Sequence, residues 1–155
     1  MTEIDLQLAI KDILEREIIP NISLFENEKV QCFLQDLPLS SEFDDEDDKY
    51  FPCFIVAYRA DEIKTASDAQ ETEIEIIVAI KDFSEDLTGY QKLLVVLGRI
   101  RDYFTANAGI DGKFRLLYPI KRSINDDTIP GYFVGHIITK WVADIMPYND
   151  IHKLL

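Results

Sequence analysis

The clearest pattern in the chain is a strict alternation over residues 72–82. Thr72, Ile74, Ile76, Val78 and Ile80 fall on one side, and Glu73, Glu75 and Lys81 on the other. A period of two predicts a half-buried strand, apolar on one face only. The period then changes. Tyr90, Leu94, Leu97, Ile100 and Phe104 recur at spacings of three and four, which predicts an amphipathic helix. Thr88 and Gln91 have the spacing of a capping box, and Gly109 is the expected stop. An earlier helix is predicted over residues 3–17, with Leu6, Ile10, Ile13 and Leu14 inward and Thr2 with Asp5 at its start. Pro20-Asn21 ends it.

The remaining apolar runs read as strands. Residues 29–36 form a short one, and residues 51–60 one rich in aromatic and β-branched side chains. Asp111-Gly112 opens a turn into residues 113–122, where Pro119 implies an edge position or a bulge. Pro130-Gly131 turns the chain into a long final strand over residues 132–145. Residues 38–50 and 61–71 are polar loops, and the tail after Pro147 is expected to be loose. Hairpin-like links favour antiparallel neighbours. The expected fold class is therefore α+β: a mostly antiparallel sheet of about four to five strands, packed by the N-terminal helix and the central helix. No internal repeat is visible, and 155 residues favour one domain over the whole chain.

Charge narrows the function. Sixteen Lys and Arg stand against 29 Asp and Glu, a net charge of −13. Such a field repels phosphate backbones and anionic lipid. No run approaches the roughly 18 apolar residues of a membrane span. The N-terminus is acidic and does not read as a signal peptide. Cys32 and Cys53 lie in apolar strand-like runs without metal-ligand spacing, so they read as buried thiols in a reducing compartment.

Candidate chemistry is sparse. Residues 42–48 place six carboxylates in seven positions. A calcium loop would need a turn glycine where Lys49 follows, and a bidentate Glu at its twelfth position. Glu62-Ile63-Lys64 has the three-residue pattern of a metal nuclease, yet falls in a polar loop. His136 sits mid-strand beside no recognisable nucleophile, and reads as a sheet or interface histidine. Trp141 shares a face with Phe133, Ile137 and Ala143 and reads as core. No metal, cofactor or catalytic set is expected. The basic face is Lys113, Arg115 and Lys121. It could be a solvated strand edge, or a patch meeting the acidic residues Asp44, Asp45, Asp47 and Asp48 of a neighbouring copy. A contact between two different surfaces closes into rings when the rotation permits.

The stretch EIEIIVAIKDFSEDLTGYQKLLVVLGRIRDYF resembles the strand-then-helix centre of tailed-phage tail terminator and tail-completion proteins. GKFRLLYPIKRSI and GYFVGHIITKWVADI resemble the strands that follow it in that group. The resemblance covers about residues 70–146 and is one of element order and spacing; the acidic run at 42–48 departs from it. It implies a non-enzymatic subunit of a ring, usually hexameric, that caps the tail tube. Its partners would be other copies of itself, the tail tube protein and the head-completion or connector protein. The implied location is the neck of the virion, assembled in the host cytoplasm. Two readings from other classes compete: an acidic binding module that mimics nucleic acid, and a metal-dependent enzyme using carboxylates near 42–48 or 61–64.

Overall fold

The computed structural model describes residues 3–25, 28–37, 50–83, 88–125 and 130–143. The first helix, α1, spans Glu3–Ile13 and continues as a π-helical stretch over Leu14–Ile18 and a short 3₁₀ turn at Ile19–Asn21. Glu3 and Asp5 lie in its first turn, where carboxylates complement the helix dipole. Leu6, Ile10, Ile13, Leu14 and Ile18 are buried.

Six strands follow: β1 (Gln31–Leu34), β2 (Cys53–Glu62), β3 (Glu71–Lys81), β4 (Gly109–Ile110), β5 (Phe114–Ile124) and β6 (Tyr132–Ala143), with α2 (Gly89–Ala106) between β3 and β4. Their order in the sheet is β1-β2-β3-β6-β5-β4. The fold is α+β, as expected, but the sheet is mixed and has six strands rather than four to five. β1 runs parallel to β2. A parallel neighbour requires a connection of a dozen or more residues, and the 18 residues from Gln35 to Pro52 provide it. The two-residue β4 is the other addition. It is one arm of the Asp111-Gly112 turn, where both residues have positive φ.

The centre is β3 against β6, paired without interruption from Glu71↔Val142 to Lys81↔Tyr132. Ile74, Ile76 and Val78 of β3 and Ile137 and Trp141 of β6 face the helices and are buried. Burying each such aliphatic side chain stabilises by roughly 1.5–3 kcal/mol. Thr139 is buried in the same layer and its polarity is matched: its hydroxyl donates to the Ile74 carbonyl (2.8 Å) and accepts from Trp141 Nε1 (2.8 Å).

Where the expected stripe of α2 was Tyr90, Leu94, Leu97, Ile100 and Phe104, the buried line is Leu93, Val96, Leu97, Ile100 and Phe104. Tyr90 is 46% exposed. Gly135 on β6 explains the rotation. A Cβ there would lie 2.7 Å from Leu97 Cδ1 and 3.1 Å from Leu93 Cδ2, so its absence lets those two leucines settle directly on the sheet. The helix ends are also revised. Thr88 is the N-cap, but its side chain makes no capping bond; its carbonyl accepts from the backbone N–H of Gln91 and Lys92. The Gln91 side chain donates to the Tyr90 hydroxyl instead. At the other end Asn107, not Gly109, closes the helix, its side-chain amide donating to the Tyr103 carbonyl (3.0 Å).

Candidate functional site

The basic face lies on β5, the last long strand of the sheet. Phe114–Leu117 pairs in register with β6, then the ladder slips. From Leu117↔Lys140 to Lys121↔Ile138, β5 advances four residues while β6 advances two. The excess is even, so facing is preserved across the irregular stretch that holds Pro119. Arg115 and Lys121 therefore share a face, the one turned away from the helices. Lys113 precedes the strand in the Asp111-Gly112 turn. All three side chains are exposed, and among the described residues none forms an ion pair. Asp44, Asp45, Asp47 and Asp48 lie outside the described residues, within the connection from β1 to β2.

Two further cations belong to this end of the molecule. Arg122 points to the helix side, where its guanidinium donates to the Leu94 carbonyl (3.4 Å). A Cβ on Gly98 would stand 3.5 Å from Arg122 Nη1 and 4.0 Å from Arg101 Nη2, so both guanidinium groups lie over this bare point of α2. Arg101 also contacts Asp102 at 3.3 Å. The adjacent Lys121-Arg122 pair was the available signal, since two consecutive cations on a strand must charge both of its faces. The approach of Arg101 from α2 had none.

A second polar cluster lies mid-sheet on the side away from the helices. Glu75 of β3 accepts from Arg59 of β2 (2.8 Å) and bonds to His136 Nδ1 of β6; His136 Nε2 bonds to Asn125. The register places Ile77 opposite His136 and Ser123 opposite His136 from the other side, so the ring spans three strands. Burial disfavours the charge on Glu75, but the hydrogen bonds from Arg59 and His136 outweigh it and hold the carboxyl below its ordinary range. Both His136 nitrogens are thus engaged within the sheet.

The remaining candidates are placed as follows. β2 extends to Glu62, so that residue ends a strand rather than lying in a loop; Lys64 in the following turn pairs with Glu71 (3.3 Å). Among the described residues no group of three or more His, Cys, Asp or Glu could hold a metal ion. Both thiols are free; Cys53 is buried as expected, whereas Cys32, on the short strand β1, is only half-buried, and desolvation pushes each up to about 12. Among the described residues no helix is long and apolar enough to cross a membrane.

No protein-family model and no curated protein matches the chain. Among solved structures, the chain is similar in fold to a chain in the virion of a native gene transfer agent particle. The TM-score is 0.50 at 12% sequence identity, over 89% of this chain and 93% of that one.

Proposed function

We propose that this chain is a non-enzymatic structural protein of a phage-like virion. Within that role it is a ring-forming subunit that terminates the tail tube and offers the surface that joins the head. The observation that carries this reading is the likeness to a gene transfer agent virion chain, which runs through nearly the full length of both proteins. Two features of the molecule fit it. The acidic field of −13 suits the wall of a conduit through which DNA passes without sticking. An exposed sheet edge carrying cations gives such a chain a surface complementary to its own net charge. The partners in this reading are further copies of the chain, the tail tube and the head-completion or connector protein.

Solution mass by light scattering, over a range of protein and salt concentrations, tests the ring. A discrete species near six subunits is the expected result. A monomer under every condition would remove spontaneous ring closure and favour an acidic module that occupies a basic protein one to one. That module would form a strongly salt-sensitive complex.

A further inference from the structure

Two exposed stretches of strand in this chain carry opposite charge. The first is the distal half of β5. β4 covers β5 only as far as Gly109↔Arg115, with one more bond from Leu116 N–H to the Ala108 carbonyl (2.7 Å). Beyond that point Tyr118, Lys121, Arg122 and Ser123 are exposed, Tyr118 by 66%. Residues 113–124 hold four cations and no carboxylate. The second is the far end of the β2–β3 hairpin. Gln35, just past β1, has positive φ, and its side-chain amide accepts from the Tyr58 N–H (2.9 Å) and donates to the Tyr58 carbonyl (3.0 Å). That amide takes the place of a further β1 residue and ends the pairing. Residues 59–68 are then all exposed. Residues 61–73 hold five carboxylates and one cation, Lys64.

The charges match face by face. On β5, Arg122 is on the helix side and Lys121 on the opposite side. On β2 a bulge between Tyr58 and Ala60 resets the alternation, so Asp61 stands opposite Thr72 on the helix side and Glu62 opposite Glu71 on the other. Asp61 accepts from the Tyr58 hydroxyl and Glu62 stands 3.9 Å from Lys140, yet both stay exposed. Strand directions agree as well. β3 is antiparallel to β2, β6 to β3 and β5 to β6, so β2 and β5 run in opposite senses across one sheet. A second copy that continues the sheet with its helices on the same side therefore brings its β2 antiparallel to β5. One register sets Asp61 against Arg122 and Glu62 against Lys121, an acid facing a cation on each side of the sheet. It also sets Ile63, 58% exposed, opposite Ile120 and diagonal to Tyr118. β1 of the second copy and β4 of the first lie beyond opposite ends of this seam and do not obstruct it.

The geometry points to a head-to-tail contact between copies of this chain, residues 60–63 of the hairpin in one copy lying antiparallel along residues 120–123 of β5 in the next. This contact rests on the ring reading above and supplies its geometry. Main-chain hydrogen bonds provide the adhesion, as in strand addition generally. The paired charges on both faces fix the register and reject β5-on-β5 or hairpin-on-hairpin pairing. The two surfaces are different, so the contact propagates until it closes. It also covers exposed strand that would otherwise invite indiscriminate pairing.

The test is a cross-link placed in the assembled protein. Ala60→Cys and Ser123→Cys are combined in one chain; the two positions meet across the seam on the side away from the helices, and both are exposed. A short bismaleimide at neutral pH should give a ladder of covalent oligomers, while each single substitution gives at most a dimer. The native Cys32 and Cys53 thiols, pushed up to about 12 by desolvation, stay protonated and slow to react. Charge exchange is the second readout. Lys121→Glu alone, or Glu62→Lys alone, should weaken assembly by about tenfold or more, as like charges meet at the seam, with an unchanged circular dichroism spectrum. The two substitutions together should restore most of the loss. Rings of full mass that yield no ladder, or that tolerate either single reversal, would overturn this seam and leave the ring itself standing, as would a double exchange that recovers nothing. A chain that never assembles overturns both.

Discussion

The two faces of the β3–β6 pair are built from alternate residues of the same two strands, yet they are different materials. On the helix side Ile74, Ile76, Val78, Ile137 and Trp141 are almost wholly buried, and the polar groups Thr72 and Thr139 are satisfied locally. On the other side Glu75, His136 and Arg59 form a linked polar set, and Lys140 stands 3.9 Å from Glu62. The first face obtains its stability from area removed from water, which neither titrates nor is screened by ions. The second adds to buried apolar residues such as Ala79 and Val142 a set of charges and hydrogen bonds, which respond to both pH and salt. Stability should therefore reside on one face of the sheet, and responsiveness on the other.

The largest effect should come from the helix side. Trp141 is 1% exposed and meets Phe104 edge-on at 5.4 Å. Trp141→Ala removes that contact, opens a cavity between α2 and the sheet, and leaves the Thr139 hydroxyl without its donor. The expected loss is about 3–5 kcal/mol, read as a fall in the urea midpoint at unchanged slope. A loss under about 1 kcal/mol would mean that α2 collapses onto the sheet and that the dry face is less rigid than its burial implies.

On the opposite face Glu75→Gln should cost less, about 1–2 kcal/mol near neutral pH, because the chain of hydrogen bonds survives in part while the charge is lost. Its signature is the pH dependence. The folded carboxyl sits below its unfolded value of 4.5. Its contribution is therefore complete above that value and disappears as the pH falls through the folded one. Denaturation curves of the two proteins should lie apart at about pH 7 and converge as the pH falls below the ordinary carboxylate range. A constant gap across that range would assign the loss to packing rather than to the carboxylate.

The same contrast explains what could be read in advance. The period-two run at 72–82 predicts β3 nearly to the residue, because alternation follows from strand geometry and needs no partner. The helix at 89–106 is equally plain as a helix, but its buried stripe is not. Which side turns inward depends on Gly135, 29 residues beyond the helix, and a lone glycine in a strand does not announce what will approach it. Arg115 and Lys121 share a face as their even separation predicts, and the slip in the ladder between them keeps that facing because its excess is also even. Arg101 joins Arg122 only through the packing of α2 on β5. The mid-sheet set of Arg59, Glu75, Asn125 and His136 draws on three strands and the residue just after β5, so no local spacing marks it.

The smallest effect should come from the ion pairs at the rim of the polar face. Lys64 lies in the turn after β2, its side chain 62% exposed, with its ammonium 3.3 Å from Glu71. Holding a long lysine side chain in one geometry costs entropy that nearly cancels the attraction in water. With the Glu71 side chain 18% exposed, Lys64→Ala should change stability by up to about 1 kcal/mol, and by less in high salt. Measuring it beside Glu75→Gln at low and high salt separates the two parts of that face. If Lys64→Ala costs as much as Glu75→Gln, the face is stabilised by its summed field. If only Glu75→Gln registers, the stabilisation is local to the three-strand hydrogen-bonded set, and the rim is free to vary without consequence for the fold.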